Sequence, residues 1–174
     1  MLDPGEVEEK TASVISLFEG LELSPVKYLL SFFPLPARHE IDVYPAELIV
    51  RMKNREVDIC WPKLGFDHIN MEAMPVTRET LFIKNKYEIL EPLDGELINP
   101  LLVDIIFVPL IAFDLRGYRV GFGKGYYDRY LARCRPDAIK IGFSFFEPID
   151  LIDDIHEFDV PLNYCISPMR IYEF

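Results

Sequence analysis

The run LVDIIFVPLIAFDLRGYRVGFGKGYYDRYL, residues 102–131, decides how the rest of the chain is read. Its first dozen residues are almost continuously apolar and rich in Ile, Val and Phe, with Pro109 near the end. A run that short falls well below the roughly 20 residues of a membrane span. It reads as a strand buried on both faces, the kind found inside parallel sheets. Glycines then stand at 121, 123 and 125 around Lys124, and Tyr127, Tyr130, Leu131 and Cys134 recur at helical spacing. Strand, glycine loop and helix in that order can wrap backbone N–H groups around an anion, with the helix N-terminus adding its positive end. Lys124 and Arg129 can bring side-chain charge to phosphate oxygens. The loop is not Walker A, because the GxxxxGK[ST] spacing is missing, and GxGxG is not the GxGxxG dinucleotide fingerprint. On the glycines alone, a tight turn with packing tyrosines remains the alternative.

Outward from this run, strands and helices alternate. Asp3-Pro4-Gly5-Glu6 predicts a helix start, with Asp as N-cap, Pro at the first position and Glu at the third. Val7, Thr11, Val14, Ile15, Phe18 and Leu21 continue it as one apolar stripe. VKYLLSFF (26–33), closed by Pro34 and Pro36, predicts a buried strand. A second helix opens at Pro45 and runs to about Arg55, followed by a strand at VDICW (57–61). INMEAMPV and LFIKNKYEIL read as strands or extended segments; AIKIGFSFF (138–146) reads as a buried strand, and the tail as a last edge. The pattern predicts an α/β layer fold with a largely parallel sheet, in one domain over residues 1–174.

Composition narrows the function. Half of the 174 residues are hydrophobic, enough for a core. The N-terminus carries no signal-peptide pattern. Cys60, Cys134 and Cys165 are scattered without a CxxC, which fits reduced thiols in a cytoplasmic protein. The net charge of −11 argues against nucleic-acid binding. Residues 114–135 nevertheless hold six basic residues against two acids, leaving −15 for the remainder. A positive island on an acidic protein suits a small anion, although a solvated helix face would look the same.

The stretch Arg119-x-Gly121-x-Gly123-Lys124-Gly125-Tyr126-Tyr127-Asp128-Arg129-Tyr130-Leu131, behind VPLIAFD (108–114), resembles the signature of the 5-formyltetrahydrofolate cyclo-ligase (5,10-methenyltetrahydrofolate synthetase) family. HEID (39–42), Pro62, EILEP (88–92) and HEFDVPLN (156–163) fall in the family's order. The resemblance implies a three-layer α/β/α sandwich that uses ATP and Mg²⁺ to close 5-formyltetrahydrofolate into 5,10-methenyltetrahydrofolate, releasing ADP and phosphate. It implies an ATP loop of Arg119, Gly121, Phe122, Gly123, Lys124, Gly125, Tyr126 and Tyr127, with Lys124, Arg129 and Tyr126 at the chemistry. Leu35, Glu40, Phe122 and Tyr126 would contact the folate, and Asp128 and Asn163 would ligate the metal. Asn163 stands where many members have an aspartate, so weaker metal binding is expected. Glu91 reads equally well as a turn residue. The family's basic N-terminal segment, which reaches the ATP phosphates, would lie before Met1, and a chain without it is expected to be depressed in activity. The implied partners are reduced folate and ATP, with no nucleic acid and no membrane, on a monomer or homodimer. The competing function is a paralogue that binds a nucleotide or folate without turnover; an NAD-dependent oxidoreductase ranks lower.

Overall fold

A computed structural model describes residues 2–23, 25–35, 40–65 and 67–174. Pro36 and His39, used in the sequence reading, lie outside the described residues. Helix α1 (Pro4–Glu19) begins as its sequence dictates. The Asp3 carboxylate accepts from the Glu6 amide and the Glu6 carboxylate from the Asp3 amide, both at 2.9 Å. Each thereby satisfies an N–H that the helix itself leaves unpaired. Val14 and Phe18 are fully buried on its inner face. Helix α2 (Tyr44–Lys53) has Pro45 in its first turn, where the missing N–H costs nothing.

The strands are β1 (Tyr28–Leu30), β2 (Asp58–Leu64), β3 (Met71–Pro75), β4 (Phe82–Lys84), β5 (Leu90–Pro92), β6 (Ile105–Val108), β7 (Ala112–Phe113), β8 (Arg119–Val120), β9 (Ile139–Phe143), β10 (Tyr164–Ile166) and β11 (Ile171–Glu173). Seven of them form one sheet in the order β11-β10-β9-β6-β1-β2-β3. Its five inner strands are parallel, and β3 and β11 close the edges antiparallel. Side chains alternate between two cores. Leu29, Ile59, Ile105, Phe107, Ile141 and Ile166 pack against Val14 and Phe18 of α1 and Ala46 and Val50 of α2. Leu30, Cys60, Ile106, Val108 and Cys165 face the other way, onto Tyr130 and Leu131 of the short helix α3 (Tyr126–Leu131). Both sheet faces are thus covered, as parallel strands require.

Two runs read as strands or extended segments are divided. Pro109 has no N–H to extend the ladder, so β6 ends at Val108 and the chain starts a separate hairpin, β7–β8. LFIKNKYEIL folds back as β4–β5, its turn held by Asn85, whose side-chain oxygen accepts from the Tyr87 and Ile89 amides. After β1 the chain crosses by α2 to β2 on one side; after β6 it crosses by α3 to β9 on the other. Diverging connections leave a crevice beyond the carboxyl ends of β1 and β6, where open α/β sheets bind ligands.

Candidate active site

That crevice is a cleft of about 670 Å³. Phe32, Phe33, Leu35 and Glu40, which follow β1, form one wall. Tyr87, Ile89 and Glu91 of the β4–β5 hairpin and Pro62 and Leu64 of β2 form a second. Residues 118–128 form the facing wall, and Ile152, Asp154, His156 and Asp159 close the remaining side.

The glycine loop is held open by backbone conformations that suit glycine. Gly123 and Gly125 have φ of 74° and 63°, which an L side chain adopts only with strain. A Cβ at Gly121 or Gly123 would meet nothing, so that side of the loop faces open space. At Gly125 it would strike the Arg129 guanidinium at 2.9 Å. The loop is anchored at both ends. Arg119, its side chain 5% exposed, donates from Nη2 to Asp128 Oδ1 at 2.8 Å and from Nη1 to the Val160 carbonyl at 2.6 Å. The Val160 amide in turn donates to Asp128 at 3.3 Å. Beneath the hairpin that carries the loop, fully buried Asp114 accepts from Arg116 and from the Tyr118 and Ile152 amides. Burial would raise its pKa, but these bonds win and hold the carboxyl below its ordinary value.

The folate-side expectations, Leu35 and Glu40, are brought together: the Leu35 amide donates to Glu40 Oε2 at 2.7 Å. Phe33 behind them packs edge-on to Trp61 at 5.6 Å. Glu91, read as equally well a turn residue, is buried and built into the wall; it accepts from the Leu64 amide at 3.1 Å and from Asn85 Nδ2 at 2.6 Å.

Lys124 is exposed, its ammonium 5.7 Å from the Tyr87 ring centre. Tyr126 reaches across the cleft. Its hydroxyl donates to the His68 carbonyl at 3.1 Å, and the neighbouring Tyr87 hydroxyl pushes the Tyr126 phenol above its ordinary pKa.

Two expected site residues stand apart. Arg129, expected at the chemistry, does not line the cleft. Its guanidinium donates to the Ile69 carbonyl at 3.1 and 2.5 Å and to the Lys124 carbonyl at 3.0 Å, stapling the loop to the β2–β3 connection. Asn163, expected as a metal ligand, precedes β10 at the amino end of the sheet, opposite the cleft. Its side-chain oxygen accepts from the Lys140 amide at 2.9 Å, at the amino end of β9. Among the described residues no group of three or more His, Cys, Asp or Glu is arranged to hold a metal. The acids that do line the cleft beside the loop are Asp128, Asp154 and Asp159. Tyr87 and Asp159 were not singled out from sequence. Asp159 lies within the quoted HEFDVPLN segment; Tyr87 carried no local signal, because only the β4–β5 turn brings it to Tyr126.

The model of the 5-formyltetrahydrofolate cyclo-ligase family matches residues 29–163. A 5-formyltetrahydrofolate cyclo-ligase of Mycoplasma genitalium is 41% identical over 132 residues, which cover 75% of this chain and 68% of that protein. One from Mus musculus is 35% identical over 101 residues, 53% of this chain and 50% of its own. Among solved structures, the 5,10-methenyltetrahydrofolate synthetase of Aquifex aeolicus superposes with a TM-score of 0.77 at 31% identity, covering 99% of this chain and 84% of that one. A synthetase from Mycoplasma pneumoniae matches in fold with a TM-score of 0.73 at 23% identity, over 96% and 90% of the two chains.

Proposed function

This chain belongs to the 5-formyltetrahydrofolate cyclo-ligase family, whose named members are enzymes, and we propose that it couples ATP cleavage to cyclisation of 5-formyltetrahydrofolate. The observation that carries this reading is the pairing of two unlike walls across one cleft. The Leu35–Glu40 wall offers apolar surface and a carboxylate to a folate, and the open glycine loop offers amides and Lys124 to phosphates.

The chemistry explains why both walls are needed. A formamide oxygen is a poor leaving group. In the proposed sequence it attacks the γ-phosphorus, a P–O bond forms, and the bond to ADP breaks. N10 then attacks the activated carbon and loses its proton, and the C–O bond breaks with its electron pair leaving on phosphate. The product is 5,10-methenyltetrahydrofolate. The protein's part is to hold the formyl oxygen in line with the γ-phosphate and to neutralise charge there. In this reading Gly121, Phe122, Gly123, Lys124 and Gly125 hold the phosphates, and Tyr126 joins the two walls. Glu40 and Leu35 orient the folate. Arg119 and Arg129 shape the loop.

Mg²⁺ fits this cleft only as a shared ion. One oxygen of Asp128 is engaged by Arg119, leaving it and Asp159 to contribute beside the substrate phosphates, which is how Mg²⁺ is commonly held. Bound there, it would neutralise phosphate charge. A cytoplasmic location accords with three free thiols, and among the described residues no helix is long and apolar enough to cross a membrane.

The test is an absorbance assay for methenyltetrahydrofolate, with 5-formyltetrahydrofolate and Mg²⁺ present and ATP either added or withheld. Growth of the signal only with ATP is expected. Product formed equally without ATP, or none under either condition while both ligands bind, would overturn the proposal.

A further inference from the structure

Among the described residues, Tyr127 is the cleft residue with a buried hydroxyl that the fold leaves unpaired. Its hydroxyl is buried and, among the described residues, has no hydrogen-bond partner. Buried hydroxyls are nearly always paired, because an unmatched one forfeits its bonds to water. Tyr127 follows Tyr126 at the start of α3 and lines the cleft. The charged groups that act on its hydroxyl are Glu40, from the wall after β1, and Arg119, from the base of the glycine loop. Neither is within hydrogen-bonding distance of it.

An ordinary phenol is protonated at neutral pH, so this buried hydroxyl is available as an O–H donor. A donor with these surroundings wants an acceptor oxygen arriving from the cleft. In the proposed function one substrate atom must lie between the folate wall and the phosphate loop, the formyl oxygen.

We propose that the Tyr127 hydroxyl donates a hydrogen bond to the formyl oxygen of the bound substrate, so that it selects carbonyl-bearing N5 substituents. This rests on the cyclo-ligase reading of the cleft and adds to it a specificity-determining contact. Tyr130, three residues further along the same helix, provides an internal control. Its hydroxyl is also buried and unpartnered, but it is packed among Leu30, Cys60 and Ile106 and does not line the cleft.

The experiment compares wild type, Tyr127→Phe and Tyr130→Phe. Calorimetric titrations use 5-formyltetrahydrofolate, 5-methyltetrahydrofolate (which lacks the carbonyl oxygen) and ATP, alongside thermal unfolding of the free proteins. In Tyr127→Phe the dissociation constant for the formyl compound is expected to rise about three- to tenfold, the worth of one neutral hydrogen bond. Affinity for the methyl compound and for ATP should stay at wild-type values, and the Tm should not fall, since no bond within the protein is lost. Tyr130→Phe should leave all three affinities unchanged. The proposal is overturned if Tyr127→Phe weakens both folates alike, weakens neither, weakens ATP instead, or unfolds several degrees earlier. Wild type that binds neither folate would overturn the cyclo-ligase reading itself, and the contact with it.

Discussion

Asp128→Ala gives the sharpest test of how the glycine loop is held. Asp128 accepts from Arg119 at 2.8 Å and from the Val160 amide at 3.3 Å, and the Arg119 side chain is only 5% exposed. Removing the carboxylate leaves a guanidinium out of water with the Val160 carbonyl as its remaining acceptor among the described residues. Breaking a buried pair from one side costs about 3–5 kcal/mol, because the surviving charge is uncompensated. Asp128 itself keeps partial contact with solvent, which screens the pair, so the lower end, about 3 kcal/mol, is expected. For a chain of this size that corresponds to a Tm lowered by roughly 6–12 °C. The assay is thermal unfolding followed by circular dichroism, in buffer containing a metal chelator. Arg119→Met should be milder, since it removes the buried charge as well, and the double variant should be no worse than Asp128→Ala alone. A Tm within a degree of wild type for Asp128→Ala would refute the reasoning and leave metal binding as the residue's sole role.

Lys124→Ala should weaken ATP binding by roughly 1–3 kcal/mol, the range for a hydrogen bond to a charged group; calorimetry showing unchanged affinity would remove Lys124 from the phosphate site. Glu40→Gln should impair turnover or folate binding while nucleotide affinity stays near wild type, and equal losses in both would place Glu40 with the phosphates instead. Asp114 has a folded pKa below its unfolded value, so its contribution to stability is present above the unfolded pKa of about 3.9 and is lost as the pH falls through the folded value. Asp114→Asn should accordingly lower stability at neutral pH and flatten the dependence of Tm on pH in that acidic window. An acid limb as steep in the variant as in wild type would exclude Asp114 as its source.

Much of the sheet was legible because its signals are local. The Asp3–Glu6 capping box and the proline at 45 mark helix starts through contacts within a few residues, and the apolar runs at 26–33 and 102–113 mark buried strands by composition alone. The glycine loop was legible for the same reason, since backbone freedom at 123 and 125 is a property of those residues alone. Partners far apart in sequence were decided only by the tertiary structure. Arg129 reads as a phosphate ligand, yet its donors end on Ile69 and Lys124 carbonyls, because α3 packs beside the β2–β3 turn. Asn163 sits in a stretch otherwise shared with the cleft wall, but the start of β10 carries it to the amino end of the sheet, where its oxygen accepts from the Lys140 amide. Tyr87 enters the site only because β4–β5 doubles back toward Tyr126. Composition and short-range pattern determine which segments become strands, helices and an open glycine loop. Which charged and polar groups remain for a ligand depends on the neighbours that long-range packing supplies, because each hydrogen bond satisfied within the fold withdraws that donor or acceptor from the cleft.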